Sequence, residues 1–522
     1  MRRMRRLLLI LALIPAVCIR PVYALCAEET GTARAEASMA EALPVPAATP
    51  AAEGDAALTE TPAPDRTPVP ESDRHPVNAR CTVAEVSNAY LDIGRLWDQA
   101  AYGVPMRAGD TARFAWTDEL ECETVYWRFR LEQPTDSMSL SFFDAEGRLI
   151  ERLERPGVME ENLEYLPEGT RSIVLEVDTA CCLSELALYA PGAAPATMTH
   201  FEPPLTKADL LLVVAHPDDE HAMMGGIVPY YDAERGYAVQ VASVTHGYVG
   251  KEWDTRRLEF RRGLYSNKLT HYPLLLGLLD NWFDTGEIAI SRWNQRGQDV
   301  VMELVRLIRR TRPDVAVTHD LEGEYGHGAH IAVAHAMVEA VRLAADPQVD
   351  PESAEQYGIW QVKKLYIHLY PEHRVTLDLD APLAAFQGKS AREMAVEGMA
   401  YHESQKVVTW QQTILNRTYD SAVYGLFFST VGYEESGTDF FENLVPPAQT
   451  DDAEPVPTAT QEPCPSPDGT AAPDTPAAAE KMPHDRWAFA AIAALLLAVA
   501  AAVLIWKRHA ARRADSAGRT GH

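Results

Sequence analysis

Between its two ends the chain carries no dense run of lysine or arginine. Its 47 Lys and Arg face 75 Asp and Glu, a formal net charge of -28, with a pI near 5.0. That balance argues against nucleic acid or anionic lipid headgroups as bulk partners. Cysteine is scarce too: beyond the first 27 residues only Cys81, Cys122, Cys181, Cys182 and Cys464 remain, with no CxxC spacing. This disfavours a cysteine-built metal site and leaves room for a disulfide among the first four. No GxGxxG follows any strand-like segment, so a dinucleotide site is disfavoured. Residues 28–79 and 446–486 are rich in Ala, Pro, Thr and acidic residues and nearly devoid of aromatics. Neither stretch can bury enough apolar surface to offset the entropy of ordering, so both are expected to be extended linkers, the second a stalk.

Long apolar runs occur only at the ends. Residues 1–6 (MRRMRR) precede an apolar run from Leu7 to Ile19 and small residues near Ala24 and Ala27, which predicts a secretory signal peptide over 1–27. Trp487 to Trp506 has no charge and no proline and is followed by Lys507, Arg508, Arg512 and Arg513. A helix of that length is roughly 30 Å long, the thickness of a hydrocarbon core. The trailing positive charges put the tail, 507–522, in the cytoplasm and the body outside. The expectation is a single-pass protein of the cell membrane with an extracellular ectodomain.

Residues 80–195 read as all-β. In TVYWRFRLE, Val125, Trp127, Phe129 and Leu131 alternate with polar positions, the signature of a half-buried strand. SMSLSFFD repeats the pattern, DAEG at 144–147 supplies a turn, and RLIERLE, RSIVLEV and LSELALYA follow. Short strands at this spacing predict a β-sandwich. Over 200–445 the pattern becomes alternating strand and helix. LLLVVA (210–215) is uniformly apolar, as a central parallel strand requires. A helix is expected over about 221–235, then the strand VQVASVT, a helix through DVVMELVRLIRR, and strands at DVAVTH and KLYIHLY. This is the pattern of a doubly wound α/β sheet, whose ligands sit beyond the carboxyl ends of the strands.

Two clusters lie at those ends. Ala215-His216-Pro217-Asp218-Asp219-Glu220 follows the first strand, a concentration of charge that a divalent ion would neutralise. Imidazole and carboxylate are suitable zinc ligands, and iron or cobalt fits the same donors. A second cluster follows a later strand: Thr318-His319-Asp320, then Gly323-Glu324-Tyr325-Gly326-His327-Gly328-Ala329-His330. If a helix starts near His327, both imidazoles of the HxxH spacing can face one point.

With AHPDDE after the first strand, EYGHGAH in the place of a GxxxHPDH-like block, and His402-Glu403-Ser404-Gln405 as a late HxSQ element, the segment from about Leu210 onward resembles the PIG-L/LmbE family of N-acetylglucosaminyl deacetylases. The resemblance covers the α/β segment and none of the β segment. It implies a Rossmann-like fold and a zinc ion held by His216, Asp219 and His330. It also implies Asp218 as the general base, with Tyr325 or His327 stabilising the tetrahedral oxyanion and Asp218 or His327 protonating the leaving amine. Arg256 and Glu259 match an RxxE element at the substrate side, and Asp280 is a candidate for contact with sugar hydroxyls. The chain departs from the family at Ala329, where HPDH supplies a carboxylate; that puts the acid role of His327 in question. The implied substrate is an N-acetylated sugar or glycoconjugate outside the cell. A non-catalytic glycan-binding protein on the same scaffold, or a hydrolase of a non-sugar amide, would keep the same residues.

Overall fold

The computed structural model describes residues 74–444 apart from 88–92, 99–102, 131–134, 247–251, 281–284 and 434. The expected signal peptide, most of the first linker, the stalk, the Trp487–Trp506 span and the basic tail lie outside the described residues. Among the described residues no helix is long and apolar enough to cross a membrane.

Nine strands form the first region: β1 (Val83–Val86), β2 (Val104–Met106), β3 (Thr111–Ala115), β4 (Thr124–Phe129), β5 (Ser137–Phe143), β6 (Leu149–Pro156), β7 (Glu161–Tyr165), β8 (Ser172–Val177) and β9 (Cys181–Tyr189). They pair antiparallel in two sheets, β1-β3-β8-β5-β6 and β2-β9-β4-β7. Val125, Trp127 and Phe129 from one sheet meet Met138, Leu140 and Phe142 from the other in a shared core, as their alternation requires. The half-buried expectation for β4 needs correction, because Tyr126 on the opposite face is also buried. That face packs against Ala187, Tyr189 and the following segment at Ala193 and Met198. Cys81, Cys122 and Cys181 are free thiols, so no disulfide forms among the four cysteines of this region.

The second region is built on a seven-stranded sheet: β10 (Leu210–Val214), β11 (Val239–Thr245), β12 (Leu274–Leu278), β13 (Val315–Thr318), β14 (Lys364–His368), β15 (Arg374–Thr376) and β16 (Val423–Ser429). Their order is β12-β11-β10-β13-β14-β16-β15. The first five are parallel, and β16 runs antiparallel to its neighbours. Successive residues of β10 point to opposite faces. Leu210, Leu212 and Val214 enter one core and Leu211 and Val213 the other, so the strand must be apolar throughout. Helices α3 (Gly286–Gln295), α4 (Val300–Thr311) and α5 (Gly328–Leu343) supply the second core, while α2 (Glu252–Ser266) and α7 (Ala391–Met399) supply the first. Helix α6 (Pro351–Tyr357) packs against α4, and α8 (Val407–Leu415) against α7. The chain runs from β10 outward to β12 and returns on the other side of β10 at β13. That reversal opens a crevice beyond the carboxyl ends of β10 and β13.

The helix expected over 221–235 is broken. A single turn, α1 (Asp219–Ala222), is followed by a π-helical segment at Val228–Ala233. Gly225 and Gly226 lie between them, and Gly226 has φ +106°, a conformation that side-chain-bearing residues rarely adopt.

The two regions are joined by buried charge. Arg261 on α2 donates from Nε to Glu161 Oε1 at 3.0 Å, and Glu161 Oε2 accepts from Tyr126 at 2.7 Å. Arg257 pairs with Glu160. The Asn162 side chain bonds both backbone groups of Phe201, at 2.8 and 2.9 Å. Beside this seam lies a cavity of about 540 Å³, bounded by Glu160, Arg257, Arg261, Tyr272 and residues of α4 and α6.

Candidate active site

His216, Asp219 and His330 converge in the crevice. His216 Nδ1 lies 3.1 Å from Asp219 Oδ2, His330 Nε2 lies 3.3 Å from the same oxygen, and the two nitrogens are 3.2 Å apart. Bonds of 2.0–2.1 Å to a tetrahedral ion would separate its ligands by about 3.3 Å. The donor set therefore fits a divalent ion. Its chemistry agrees: His330 Nδ1 donates to Glu324 Oε2 at 2.7 Å, which leaves the Nε2 lone pair facing the cluster. Burial disfavours the His216 imidazolium, yet the Asp280 and Asp219 carboxylates push its pKa up to about 9. The surroundings thus favour positive charge at this point. Burial also opposes a charged Asp219, but His330 and His216 hold its carboxyl well below the usual range.

His319 lies close as well, with Nε2 3.5 Å from Asp219 Oδ2. That nitrogen accepts the Ala215 N–H at 2.8 Å, so its lone pair is occupied by the backbone. A buried group of Glu220, His221 and His402 forms a further set of potential ligands. Glu220 there accepts from His221 at 2.7 Å, faces His402 at 2.9 Å, and takes the Asp218 N–H at 2.8 Å. It holds the loop rather than offering an open coordination position. The fit is tight, since a Cβ on Gly398 of α7 would overlap the His221 ring.

Asp218 stands beside the donor cluster at φ 138°, a backbone angle that costs on the order of 1–3 kcal/mol.

 Its backbone N–H bond to Glu220 and a 3.0 Å ion pair with Arg256 Nη2 hold it there. Burial raises the Asp218 pKa and Arg256 opposes the rise; with Asp219 adjacent, it is pushed up to about 6. Arg256 and Glu259 do not pair with each other in the manner of an i,i+3 helix pair. Arg256 turns to Asp218 and to the Pro217 carbonyl. Glu259 instead accepts the Ser404 N–H and hydroxyl at 2.7 and 2.6 Å, which ties the HESQ segment to α2. Asp280 Oδ1 faces His216 Nε2 at 3.4 Å and also lines the cavity, so it borders both the donor cluster and the open space beside it.

That cavity is about 420 Å³ and is lined by His216, Asp218, Asp219, Arg256, Tyr325 and His327, together with Ser404 to Lys406 and Trp410. Helix α5 starts at Gly328, and His327 is its N-cap: Nδ1 accepts the Ala329 N–H at 3.3 Å. The ring proton of neutral His327 is therefore on Nε2. Burial, then the neighbouring His216 and His330, push its pKa down to about 3. Ala329 itself is buried in the core beneath α5. Burial and the charges of Asp219 and Asp218 raise the Tyr325 pKa, so its hydroxyl stays protonated.

Sequence reasoning missed Glu324. It is 1 % exposed and accepts hydrogen bonds from three imidazoles, His319 at 2.8 Å, His330 at 2.7 Å and His368 at 2.5 Å. The only signal for it was its place in EYGHGAH; His368 lies in a strand with nothing to mark it.

The family model described as GlcNAc-PI de-N-acetylase (PIG-L) matches residues 211–341. A 1D-myo-inositol 2-acetamido-2-deoxy-alpha-D-glucopyranoside deacetylase of Saccharopolyspora erythraea is 32% identical over 202 residues, covering 34% of this chain and 70% of that protein. The chain belongs to the PIG-L family of deacetylases. An enzyme of the same description from Catenulispora acidiphila is 30% identical over 222 residues, 38% of this chain, and the match spans just under two thirds (66%) of its length. Among solved structures, N,N'-diacetylchitobiose deacetylase from Pyrococcus horikoshii aligns at 17% identity over 43% of this chain and 85% of that one, with a TM-score of 0.32. The PIG-L match begins at β10 and ends within α5, so it contains the three converging donors and Asp218 but neither the HESQ segment nor the β region.

Proposed function

We propose that this protein is a zinc-dependent N-deacetylase that hydrolyses the acetamido group of an N-acetylglucosamine-type glycan or glycolipid at the cell surface. The observation that carries the reading is the convergence of His216 Nδ1, Asp219 Oδ2 and His330 Nε2 within 3.3 Å of one another, at a cavity that Asp218 also lines. Its PIG-L relatives are described as deacetylases of an acetamido sugar linked to inositol, which supports the substrate class.

His216, Asp219 and His330 would hold the ion, which when bound supplies Lewis acidity toward water and an amide carbonyl. Asp218 takes the proton of the attacking water, with Arg256 orienting its carboxylate. The Tyr325 hydroxyl and the Nε2–H of His327 are donors to the oxyanion that develops on the amide carbonyl. Because His327 is a neutral N-cap, the proton for the leaving amine comes from Asp218, now the acid. Asp280 and Gln405 line the cavity where sugar hydroxyls would lie. The signal-like N-terminus and the uncharged Trp487–Trp506 segment support a surface location with the catalytic region outside.

The test is acetate release from N-acetylglucosaminides by the full chain, with zinc, after chelation, and with Asp218→Ala. Release that needs metal and falls about 10²–10⁴-fold in the variant is expected. Undiminished release from the chelated protein or from the variant would overturn the mechanism, and zinc binding without release from any acetamido sugar would overturn the substrate class.

A further inference from the structure

A carboxylate can only accept hydrogen bonds, and its two oxygens offer about four lone-pair sites. Glu324 has all four in use. Oε2 takes the Nδ1–H of His319 and of His330, at 2.8 and 2.7 Å. Oε1 takes the Nδ1–H of His368 at 2.5 Å and the Asp320 N–H at 3.3 Å. Each of the three rings must therefore carry a proton on Nδ1. For His330 this leaves the Nε2 lone pair directed at Asp219 and His216. For His319 it leaves Nε2 to accept the N–H of Ala215, the residue before His216. Glu324 thus reaches the ligand cluster by two routes, one through His330 and one through His319 and the backbone of the AHPDDE loop. The family's second block carries its carboxylate where this chain has Ala329, a residue packed in the apolar core.

We propose that Glu324 is a positioning residue that fixes the tautomer and direction of the metal-facing histidine, so that this chain draws from position 324 the carboxylate support it lacks at 329. The inference rests on the metal-dependent reading above but is read out without catalysis. Glutamine at 324 has one accepting oxygen and a donating NH₂ group, so at least one of the three rings must give up its Nδ1–H contact.

The experiment measures zinc affinity of the full chain by competition with a chromophoric chelator, alongside histidine ¹⁵N spectra of the metal-free protein. Glu324→Gln should weaken zinc binding on the order of 10–100-fold and remove the fixed Nδ1–H signature of one of the rings. Glu324→Asp, which keeps a carboxylate, should recover part of the loss and serves as the reading if the glutamine variant does not fold. His368→Leu removes a donor that lies outside the ligand cluster and should leave zinc affinity near that of the parent. A folded Glu324→Gln protein with parental zinc affinity overturns the proposal. So does an equal loss in His368→Leu, which would make Glu324 a general tie of the core. Failure to release acetate from any sugar, with these affinity changes intact, removes the proposed substrate and leaves the role of Glu324 standing.

Discussion

Tyr325 occupies the left-handed region at φ 49°, where a residue with a side chain costs on the order of 1 kcal/mol. The residue is 48 % exposed, and its ring lies 5.3 Å from His330 and 5.5 Å from His327, centroid to centroid. A packing role would not hold an exposed aromatic ring in a disfavoured backbone state over two imidazoles. Presenting a protonated hydroxyl to the cavity would. Tyr325→Phe should lower kcat by about 10²–10³-fold if the hydroxyl meets the developing oxyanion, with zinc affinity unchanged. A fall confined to KM would instead assign Tyr325 to ground-state binding. His216, Asp218, Asp219 and His330 stand out in the sequence because they lie in two clusters of titratable residues that resemble family motifs, and the structure brings them together in one crevice. Glu324 does not, since a lone glutamate in a loop gives no sign of the three imidazoles that surround it. Two of those, His319 and His368, sit at the ends of neighbouring strands, and only the sheet order brings them together.

The element least legible in the sequence is the segment after the AHPDDE loop. Its apolar spacing suited a continuous helix over 221–235, but Gly225 and Gly226 divide it, and the second half closes as a π-helical turn. At the end of that turn Asp232 accepts from the backbone and hydroxyl of Thr270, at 3.2 and 2.9 Å. Burial nevertheless pushes its pKa up to about 6. The folded protein therefore holds this proton more tightly than the unfolded chain, whose aspartates titrate at about 3.9. Stability from this site is full below about pH 4 and is lost as the pH rises through about 6, by at most about 2–3 kcal/mol. Asp232→Asn should flatten that decline, so that its stability relative to the parent rises between pH 4 and pH 7. Denaturation curves at several pH values would show it, and a constant difference would mean that Asp232 ionises freely. The strands, by contrast, were read well. Leu210–Val214 falls where an uninterrupted apolar run predicted it, because a strand covered on both faces has little sequence freedom, and Val239–Thr245 coincides with the expected strand VQVASVT. For β4 the same logic ran one step short, since alternation reports the inner face and is silent about what covers the outer one.

At the scale of the whole molecule, the β region and the α/β region are joined by buried charges and by Met159, which packs into the first core of the α/β region. Arg261 is 2 % exposed and Glu161 4 %. Removing one partner of such a pair leaves the other charge buried and costs about 3–5 kcal/mol. Arg261→Met should therefore lower stability by about that amount in urea unfolding, and a double change with Glu161→Gln should recover part of it. Additive losses would mean that the two side chains contribute separately. None of this seam was visible in the sequence, where Arg257, Arg261, Glu160 and Glu161 are ordinary surface-type residues about a hundred positions apart.

Helix α2 presents Arg256 to Asp218 in the crevice and, on the next residue, Arg257 to Glu160 of the β region. One rod of backbone thus has its two sides fastened to different parts of the protein. Cutting the chain near residue 200 to liberate the α/β half would strip the carboxylates from Arg257 and Arg261 while leaving their neighbours in the catalytic crevice untouched. The β region is in this respect a splint for Asp218, the proposed general base, and a version trimmed of it would be expected to lose alignment before it lost any residue lining the crevice.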